Sequence, residues 1–125
     1  MDRHGRRSVL VVEDEESSME LMAAVLEELE VEVVGARSAE EAAALLRRRR
    51  PSVVLVDVHL PGQDGLALTR RIRADPTTAS IPVVALTAGA REEDRSAALA
   101  AGCSVWIAKP VDTRQLVRTL VRFLE

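Results

Sequence analysis

The chain has few aromatic residues, one cysteine and one lysine. Trp106 and Phe123 are its only aromatic side chains of the Phe, Tyr or Trp type among 125 residues, so its core must be aliphatic and alanine-rich. Cys103 is the single cysteine, which excludes a disulfide framework and a zinc site built from several cysteines. Of the 17 basic residues, only Lys109 is lysine. Lys109 is therefore a chemically distinct cation in this sequence.

Long apolar runs and a large net charge are also missing. No apolar stretch approaches the roughly 20 residues of a membrane-spanning helix. The basic start, residues 1–7, is followed by an apolar run too short for a signal peptide. We therefore expect a cytoplasmic protein with a single domain over residues 1–125, in which residues 1–7 form a flexible extension. The net charge of −3 gives no reason to expect a nucleic-acid partner. We interpret the arginines at 47–50 as solvated charges at a helix end.

Short apolar runs alternate with helical patterns along the chain. Five strands are predicted, at residues 8–13, 31–36, 52–57, 82–87 and 105–108. The first helix is indicated by apolar residues at helical spacing, namely Met22, Val25, Leu26 and Leu29. The second is opened by a capping box of Ser38 and Glu41 and turns Ala42, Leu45 and Leu46 inward.

Three more helical segments follow the third, fourth and fifth strands. One is predicted over residues 65–73, after the break at Pro61 and Gly62. The next covers residues 92–101 and is closed by Gly102. Asp112 and Gln115 begin the last helix, which has one apolar stripe of Leu116, Val117, Leu120, Val121 and Leu124.

Strict alternation of strands and helices predicts an α/β fold. Its sheet should be parallel, with helices on both faces, because short helical crossovers place consecutive strands side by side in parallel. Right-handed crossovers then give a doubly wound five-stranded sheet. The order 2-1-3-4-5 is favoured, which is a flavodoxin-like three-layer sandwich.

Reactive side chains collect where the predicted strands end. Glu13 and Asp14 follow the first strand, Asp57 ends the third, Thr87 ends the fourth, and Lys109 follows the fifth. Ligands of doubly wound sheets bind at the carboxyl ends of the strands, where the strand order reverses. The first and third strands flank that reversal, so we expect their three carboxylates to meet in one crevice.

Carboxylates crowded in one crevice need a cation. Like charges raise one another's pKa unless a cation neutralises them, and oxygen ligands with room for water suit Mg²⁺. A carboxylate such as Asp57 can act as a nucleophile and become an aspartyl phosphate. Lys109 would then supply a compact positive charge, and the Thr87 hydroxyl a hydrogen bond, to the phosphoryl oxygens.

The sequence resembles the receiver domain of bacterial response regulators over essentially its whole length. The motifs that carry the resemblance are Val11-Val12-Glu13-Asp14-Glu15, Val56-Asp57-Val58-His59-Leu60-Pro61-Gly62-Gln63-Asp64-Gly65, Ala85-Leu86-Thr87-Ala88, Ala101-Gly102 and Lys109-Pro110. Their order and spacing match the family, and jointly they are highly specific. The chain is most similar to stand-alone, chemotaxis-regulator-like members of two-component systems.

The resemblance implies a role for each site residue. Asp57 would be the phosphoacceptor. Mg²⁺ would be held by the side chains of Asp14 and Asp57, by the backbone carbonyl of His59, and by Glu13 through water. Thr87, Lys109 and the backbone N–H of Ala88 would bind the phosphoryl group, and the Lys109–Pro110 peptide bond would be cis.

The resemblance also implies a switch and its partners. Trp106 stands where the family carries a switch aromatic, which Thr87 would couple to Asp57, although filling the core is the other interpretation of Trp106. The residues two beyond Asp57 and two beyond Thr87 would influence hydrolysis of the phosphoryl group. Here they are His59, which can partly shield that group, and Gly89, which has no side chain to orient water. The phosphoryl donor would be a histidine kinase or a histidine phosphotransfer protein. A downstream protein would bind the face made by the fourth helix, fifth strand and fifth helix, with no direct nucleic acid and no membrane insertion.

Three rival functions remain to be weighed. A dehalogenase-type phosphatase needs a second acid two residues after its nucleophile, where this chain has His59. A flavodoxin-like nucleotide binder needs a Ser/Thr/Gly-rich loop where this chain has acids at 13–16. A pseudo-receiver, which keeps the fold as an unphosphorylated protein-binding module, stays open. In none of the favoured functions is the chain an enzyme beyond its own phosphoryl transfer and dephosphorylation.

Overall fold

Five strands and five helices alternate along the chain. The computed structural model describes residues 7–60, 64–89 and 91–124. The strands are β1 (Ser8–Val12), β2 (Glu32–Ala36), β3 (Val53–Asp57), β4 (Val83–Thr87) and β5 (Val105–Ala108). The helices are α1 (Glu16–Glu27), α2 (Ala39–Leu46), α3 (Gly65–Ala74), α4 (Glu92–Ala101) and α5 (Thr113–Leu124). The predicted alternation is confirmed, with the ends of most elements shifted by a residue.

Some sequence-based expectations fall outside the described residues. They concern the N-terminal extension, apart from Arg7, and the break at Pro61 and Gly62. Within the described ranges, no helix combines the length and apolar character needed to cross a bilayer.

The sheet is parallel and has the order β2-β1-β3-β4-β5. Neighbouring strands pair in parallel throughout, for example Val11 with Leu55 and Asp57 with Leu86. The reversal of strand order lies between β1 and β3, because β2 turns back to one side and β4 continues on the other. This topology confirms the doubly wound, flavodoxin-like sandwich and places the ends of β1 and β3 side by side.

Alternate strand residues point to opposite faces of the sheet and divide the core in two. One half packs under α1 and α5 and includes Val9, Val11, Met22, Leu26, Leu55, Leu116 and Leu120. The other half packs under α2, α3 and α4 and includes Leu10, Val12, Leu46, Val56, Leu68, Ile72 and Ala98. Burial on both faces explains why the central strands read as continuous apolar runs instead of alternating polar and apolar residues.

The start of α2 differs in one detail from the capping box predicted for it. The Ser38 hydroxyl accepts the N–H of Glu41 at 3.1 Å, as an N-cap should. The Glu41 carboxylate, however, accepts the N–H of Arg37 at 3.2 Å, one residue before the cap. The long glutamate side chain extends past Ser38, so its carboxylate accepts the N–H of the preceding residue and not the N–H of Ser38.

The apolar stripe predicted on α5 is only partly buried. Leu116 and Leu120 are fully buried, whereas Val121 is 40% exposed. Residues adjacent in a helix differ by about 100° in direction, so Val121 lies beside the buried edge of the stripe and faces solvent. The buried edge of the stripe therefore runs along Leu116 and Leu120.

The arginines at 47–50 follow α2 and are exposed, in agreement with their interpretation as solvated charges. Arg49 forms an ion pair with Glu32 at 3.0 Å, and Arg50 donates to the carbonyls of Leu46 and Arg49. Arg50 thus satisfies a backbone carbonyl left without a partner at the end of the helix.

Arg73, near the end of α3, ties three backbone segments together. Its guanidinium donates to the carbonyls of Gly102, Ala79 and Ile81 at 2.9, 3.1 and 2.6 Å. These carbonyls precede β4 and β5, so one side chain joins α3 to the starts of two strands. Cys103 beside this junction is buried, and its thiol lies 3.8 Å from the Thr69 hydroxyl.

Candidate functional site

Three carboxylates meet where β1 and β3 end. Glu13 and Asp14 directly follow β1, and Asp57 is the last residue of β3. One oxygen from each of the three lies within 4.8 Å of the others. Glu13 and Asp57 are 1% and 6% exposed, while Asp14 is open to solvent. The sheet therefore concentrates negative charge in a crevice that is open to solvent at Asp14.

Lys109 neutralises part of this charge. Its amine lies 2.9 Å from Asp57 Oδ2 and 3.3 Å from Glu13 Oε1. It follows β5 at the same edge of the sheet, and the Lys109–Pro110 peptide bond is cis. The lone lysine of the sequence thus binds the two buried acids directly.

The pKa values of Glu13 and Lys109 reflect this burial and pairing. Burial raises the pKa of Glu13 above its usual value, because the hydrogen bond from the Glu15 N–H and the charge of Lys109 offset the loss of water only in part. Burial alone would lower the pKa of Lys109, but the hydrogen bond and charge of Asp57, joined by Glu13, raise it. The amine is therefore held in its charged form.

The backbone around Asp57 holds its carboxylate in place. Asp57 Oδ1 accepts the N–H of His59 at 2.8 Å, so each carboxylate oxygen has one donor. Helix α3 begins against the Asp57 backbone: the Gly65 N–H donates to the Val58 carbonyl, and a Cβ on Gly65 would collide with the Asp57 carbonyl oxygen. Glycine at 65 allows this close approach because it has no Cβ. The side chain of His59 is exposed to solvent.

Thr87 lies at the same edge, and its hydroxyl donates to a backbone carbonyl instead of a carboxylate. It ends β4, is buried, and its hydroxyl donates to the Gly89 carbonyl at 2.7 Å. Ala88, between them, is exposed. In this conformation the Thr87 hydroxyl is hydrogen-bonded to the loop that leads into α4.

A second residue of that loop is held by Asp94 of α4. The space where Gly89 lacks a side chain is filled by the Asp94 carboxylate, which a Cβ would strike. The same carboxylate accepts the Arg91 N–H at 3.3 Å, at the start of α4. The loop from Thr87 to α4 is thus fixed on one side by a hydroxyl and on the other by a carboxylate.

Trp106 lies on β5, on the face covered by α2, α3 and α4. It pairs in register with Ala85 of β4 and is partly buried against the core half under those helices. Thr87 pairs with Ala108, two residues further along β5. The structure therefore places both expected switch residues on neighbouring strands, with Trp106 neither fully inside nor fully outside.

The donor set fits a hard divalent cation. Mg²⁺ takes carboxylate and carbonyl oxygens, keeps several waters, and is usually held by only one or two carboxylates. Glu13, Asp14 and Asp57 supply oxygens within reach of one ion, and the exposed side of Asp14 leaves room for water. The cluster has the chemistry expected of a magnesium site.

Some features of the site were not foreseen from the sequence. Lys109 was expected to bind a phosphoryl group, and its direct pairing with both buried acids was missed, although their opposite charges at one edge signalled it. Asp94 was also missed, because nothing in the sequence shows that its carboxylate fills the space at Gly89.

Comparisons with known proteins give one consistent result. The family model of the response regulator receiver domain matches residues 9–121. The polar-differentiation response regulator DivK of Brucella anthropi is 34% identical over 94% of this chain and 96% of its own.

Solved structures agree with that match. The receiver domain of a sensor histidine kinase from Pseudomonas aeruginosa, solved with magnesium coordinated in its active-site cleft, is 33% identical. It has a TM-score of 0.88 and coverage of 96% of this chain and 98% of that one. The chemotaxis response regulator CheY4 of Vibrio cholerae is 28% identical, with a TM-score of 0.88 and coverage of 95% and 99%.

Proposed function

The chain belongs to the response regulator receiver domain family, and on that premise we propose that it is a phosphorylation-driven signalling switch. Asp57 accepts a phosphoryl group from a histidine kinase or a histidine phosphotransfer protein. The observation that carries this proposal is the buried Asp57 carboxylate, held between the Lys109 amine and two further acids at the reversal of strand order.

Mg²⁺ would be held by Asp14 and Asp57, by the His59 backbone carbonyl, and by Glu13 through water. When bound, the ion supplies positive charge that draws the anionic donor and the anionic nucleophile together. The magnesium in the active-site cleft of the Pseudomonas aeruginosa receiver supports this assignment.

The transfer itself needs alignment and charge neutralisation. A carboxylate oxygen of Asp57 bonds to phosphorus as the bond from phosphorus to the donor's imidazole nitrogen breaks. The Lys109 amine, already 2.9 Å from Asp57 Oδ2, shifts its hydrogen bond to a phosphoryl oxygen. The Ala88 N–H and the Thr87 hydroxyl donate to other phosphoryl oxygens. The chain catalyses only this transfer and its own dephosphorylation, so it is not otherwise an enzyme.

Switching would begin when the Thr87 hydroxyl breaks its hydrogen bond to the Gly89 carbonyl. Its hydroxyl donates to the Gly89 carbonyl, so turning toward a phosphoryl oxygen releases the loop that leads into α4. The partly buried Trp106 can then turn inward under α4, which alters the face of α4, β5 and α5 where the downstream protein binds. We propose that this takes place in the cytoplasm, without direct binding to nucleic acid.

Phosphorylation is tested by intact-mass measurement after incubation with acetyl phosphate. The native chain should gain one phosphoryl group only with Mg²⁺ present, and Asp57→Asn should gain none. Asp14→Ala should lose most of the reaction. If the native chain stays unmodified under conditions that phosphorylate another receiver, the protein is an unphosphorylated binding module. If Asp57→Asn is modified equally, Asp57 is not the nucleophile.

The switch is tested by fluorescence, since Trp106 is the only tryptophan. Beryllofluoride with Mg²⁺ should change its emission in the native chain, and Thr87→Ala should abolish the change. An emission that stays constant while partner binding responds to phosphorylation would show that Trp106 only fills the core.

A further inference from the structure

A cavity of about 300 Å³ lies between the carboxyl-terminal parts of α2 and α3. Each helix that joins two parallel strands runs back against them, so these helix ends stand at the edge of the sheet where the strands begin. Asp57 and its neighbours stand at the other edge, one five-residue strand or roughly 16 Å away. The cavity is therefore separate from the proposed phosphorylation site.

The floor of the cavity is aliphatic. Leu46 of α2 and Leu68 and Ile72 of α3 line it, and all three are buried in the core half under α2, α3 and α4. Ala43, one turn before Arg47 on α2, also lines the cavity, and its single methyl group fills little of the space. The floor therefore favours an apolar group, because that group loses contact with water there.

The rim of the cavity carries an excess of positive charge. Arg47, Arg50 and Arg71 line it together with one acid, Asp75, so three positive charges against one negative charge leave two in excess. The carboxyl ends of the two helices add about half a negative charge each, and roughly one positive charge remains. Arg47 and Arg50 belong to the arginine run at 47–50, which the proposed switch does not use. The rim therefore favours an anion over a cation.

The charged groups of the rim differ in how far the chain itself satisfies them. Asp75 Oδ1 accepts the N–H and the hydroxyl of Thr77 at 2.9 and 2.8 Å, so this acid is bound by its own turn. Arg50 donates through Nη1 to the carbonyl of Leu46. The Arg47 side chain is exposed and has no hydrogen bond or ion pair with the residues that the structure describes. Within this part of the chain, Arg47 can therefore bind an anion without first breaking a bond.

We propose that this cavity binds a small amphiphilic anion, a carboxylate or a phosphate monoester on an apolar body. The planar guanidinium of Arg47 presents paired N–H donors that match the oxygens of either head group. The apolar body packs against Leu68 and Ile72 on the floor. At about 30 Å³ for a group the size of a water molecule, the cavity holds roughly ten non-hydrogen atoms, which is a head group with about eight carbon atoms.

The size of the ligand sets the strength of binding. About ten non-hydrogen atoms in a partly open cavity give a dissociation constant on the order of 10⁻⁴ M. The arginines lie at the surface, so binding should weaken several-fold between about 50 and 500 mM salt. Because the cavity does not include Asp57, binding should be the same with and without Mg²⁺.

Titration of octanoate and of octyl phosphate into the full isotope-labelled chain tests the proposal, with the backbone amide chemical shifts as the readout. The amides of Ala43, Arg47 and Ile72 should shift and saturate with a dissociation constant on the order of 10⁻⁴ M. The anion that binds more tightly identifies the preferred head group. Acetate keeps the charge without the apolar body, and octanol keeps the body without the charge, so each should bind at least about tenfold more weakly.

Four variants, each checked for folding by its melting temperature, locate the binding site. Arg47→Gln removes one charge of the rim and should weaken octanoate binding about fivefold. Arg48→Gln is the matched control and should bind like the native chain, because Arg48 belongs to the same run and does not line the cavity. Ala43→Leu fills the space and should abolish binding, whereas Ala97→Leu, at an exposed position of α4, should not.

The proposal is overturned if no lining amide saturates up to about 5 mM of either anion, roughly fifty times the expected dissociation constant. It is also overturned if octanol binds as tightly as octanoate, because the arginines would then contribute nothing. Equal weakening by Arg47→Gln and Arg48→Gln would show attraction to the arginine run without a defined site. A folded Ala43→Leu variant that binds like the native chain would place the ligand elsewhere.

Discussion

Replacing Lys109 by methionine would measure how strongly the site depends on its own cation. Methionine keeps the apolar stem and removes the amine that lies 2.9 Å from Asp57 and 3.3 Å from Glu13. Two buried carboxylates then face each other without a counter-charge. The fold should lose stability, and the loss should be recovered by any other cation that binds the same oxygens.

The magnitude follows from burial. Removing one partner of a fully buried ion pair costs about 3–5 kcal/mol. The Lys109 side chain is 29% exposed, so water screens the pair and we expect about 2 kcal/mol. For a domain of this size that corresponds to a fall of roughly 8 °C in melting temperature. Mg²⁺ no longer competes with the amine, so its apparent affinity should rise about tenfold, an extra ~1.4 kcal/mol of stabilisation at saturation.

Thermal and urea unfolding with and without Mg²⁺ would measure both the loss of stability and the change in apparent Mg²⁺ affinity. Arg91→Met is the matched control, because its ion pair with Glu93 at 3.3 Å is exposed, with side chains 76% and 70% accessible. That variant should change stability by less than about 0.5 kcal/mol and respond to Mg²⁺ like the native chain. Lys109 does not hold the acids in this way if Lys109→Met is as stable as the native chain without metal, or if Mg²⁺ stabilises the two chains equally.

Three further outcomes follow from the described contacts. Burial raises the pKa of Glu13, so ionisation of this carboxyl opposes folding. Without metal, the free energy of unfolding should therefore fall as pH rises from the pKa of Glu13 in the unfolded chain toward its higher pKa in the folded chain. Glu13→Gln should flatten that slope in urea unfolding measured from pH 4.5 to 7, a range that begins at the usual glutamate value; an unchanged slope would contradict it. Burial also raises the pKa of the Cys103 thiol, so the native chain should react with a disulfide reagent far more slowly than the urea-unfolded chain, and equal rates would count against burial. Arg73→Met should cost about 2–3 kcal/mol, because three carbonyls lose a charged donor. Arg95→Met removes only an exposed ion pair and should cost well under 1 kcal/mol, so similar costs for the two would refute the account of Arg73.

The fold and the position of the site could be predicted because both depend on patterns that repeat along the chain. Apolar runs alternating with helical stripes imply the sheet, and parallel strands carry the residues after them to one edge. These two patterns bring Glu13, Asp57 and Lys109 to one site from positions far apart in the sequence.

The details that could not be predicted depend on how deeply a side chain is buried, how far it extends, and which path a loop takes. Periodicity shows the side of α5 on which Val121 lies, but not how far the helix leaves that side uncovered. A capping motif places Glu41 near the start of α2, but the backbone direction before the helix decides which N–H it meets. The position of Asp94 against Gly89 depends on the path of a loop, which no pattern of residue types specifies.

The shared space between Gly89 and Asp94 has a consequence for how the protein can diverge. A side chain at position 89 has no room while the Asp94 carboxylate occupies that volume, and moving the carboxylate takes an acceptor from the Arg91 N–H. The two positions are therefore coupled, because a side chain at 89 displaces the flexible end of Asp94, whereas a smaller residue at 94 leaves that volume free. If residue 89 adjusts the phosphoryl lifetime, a lineage that changes it would also change how α4 begins.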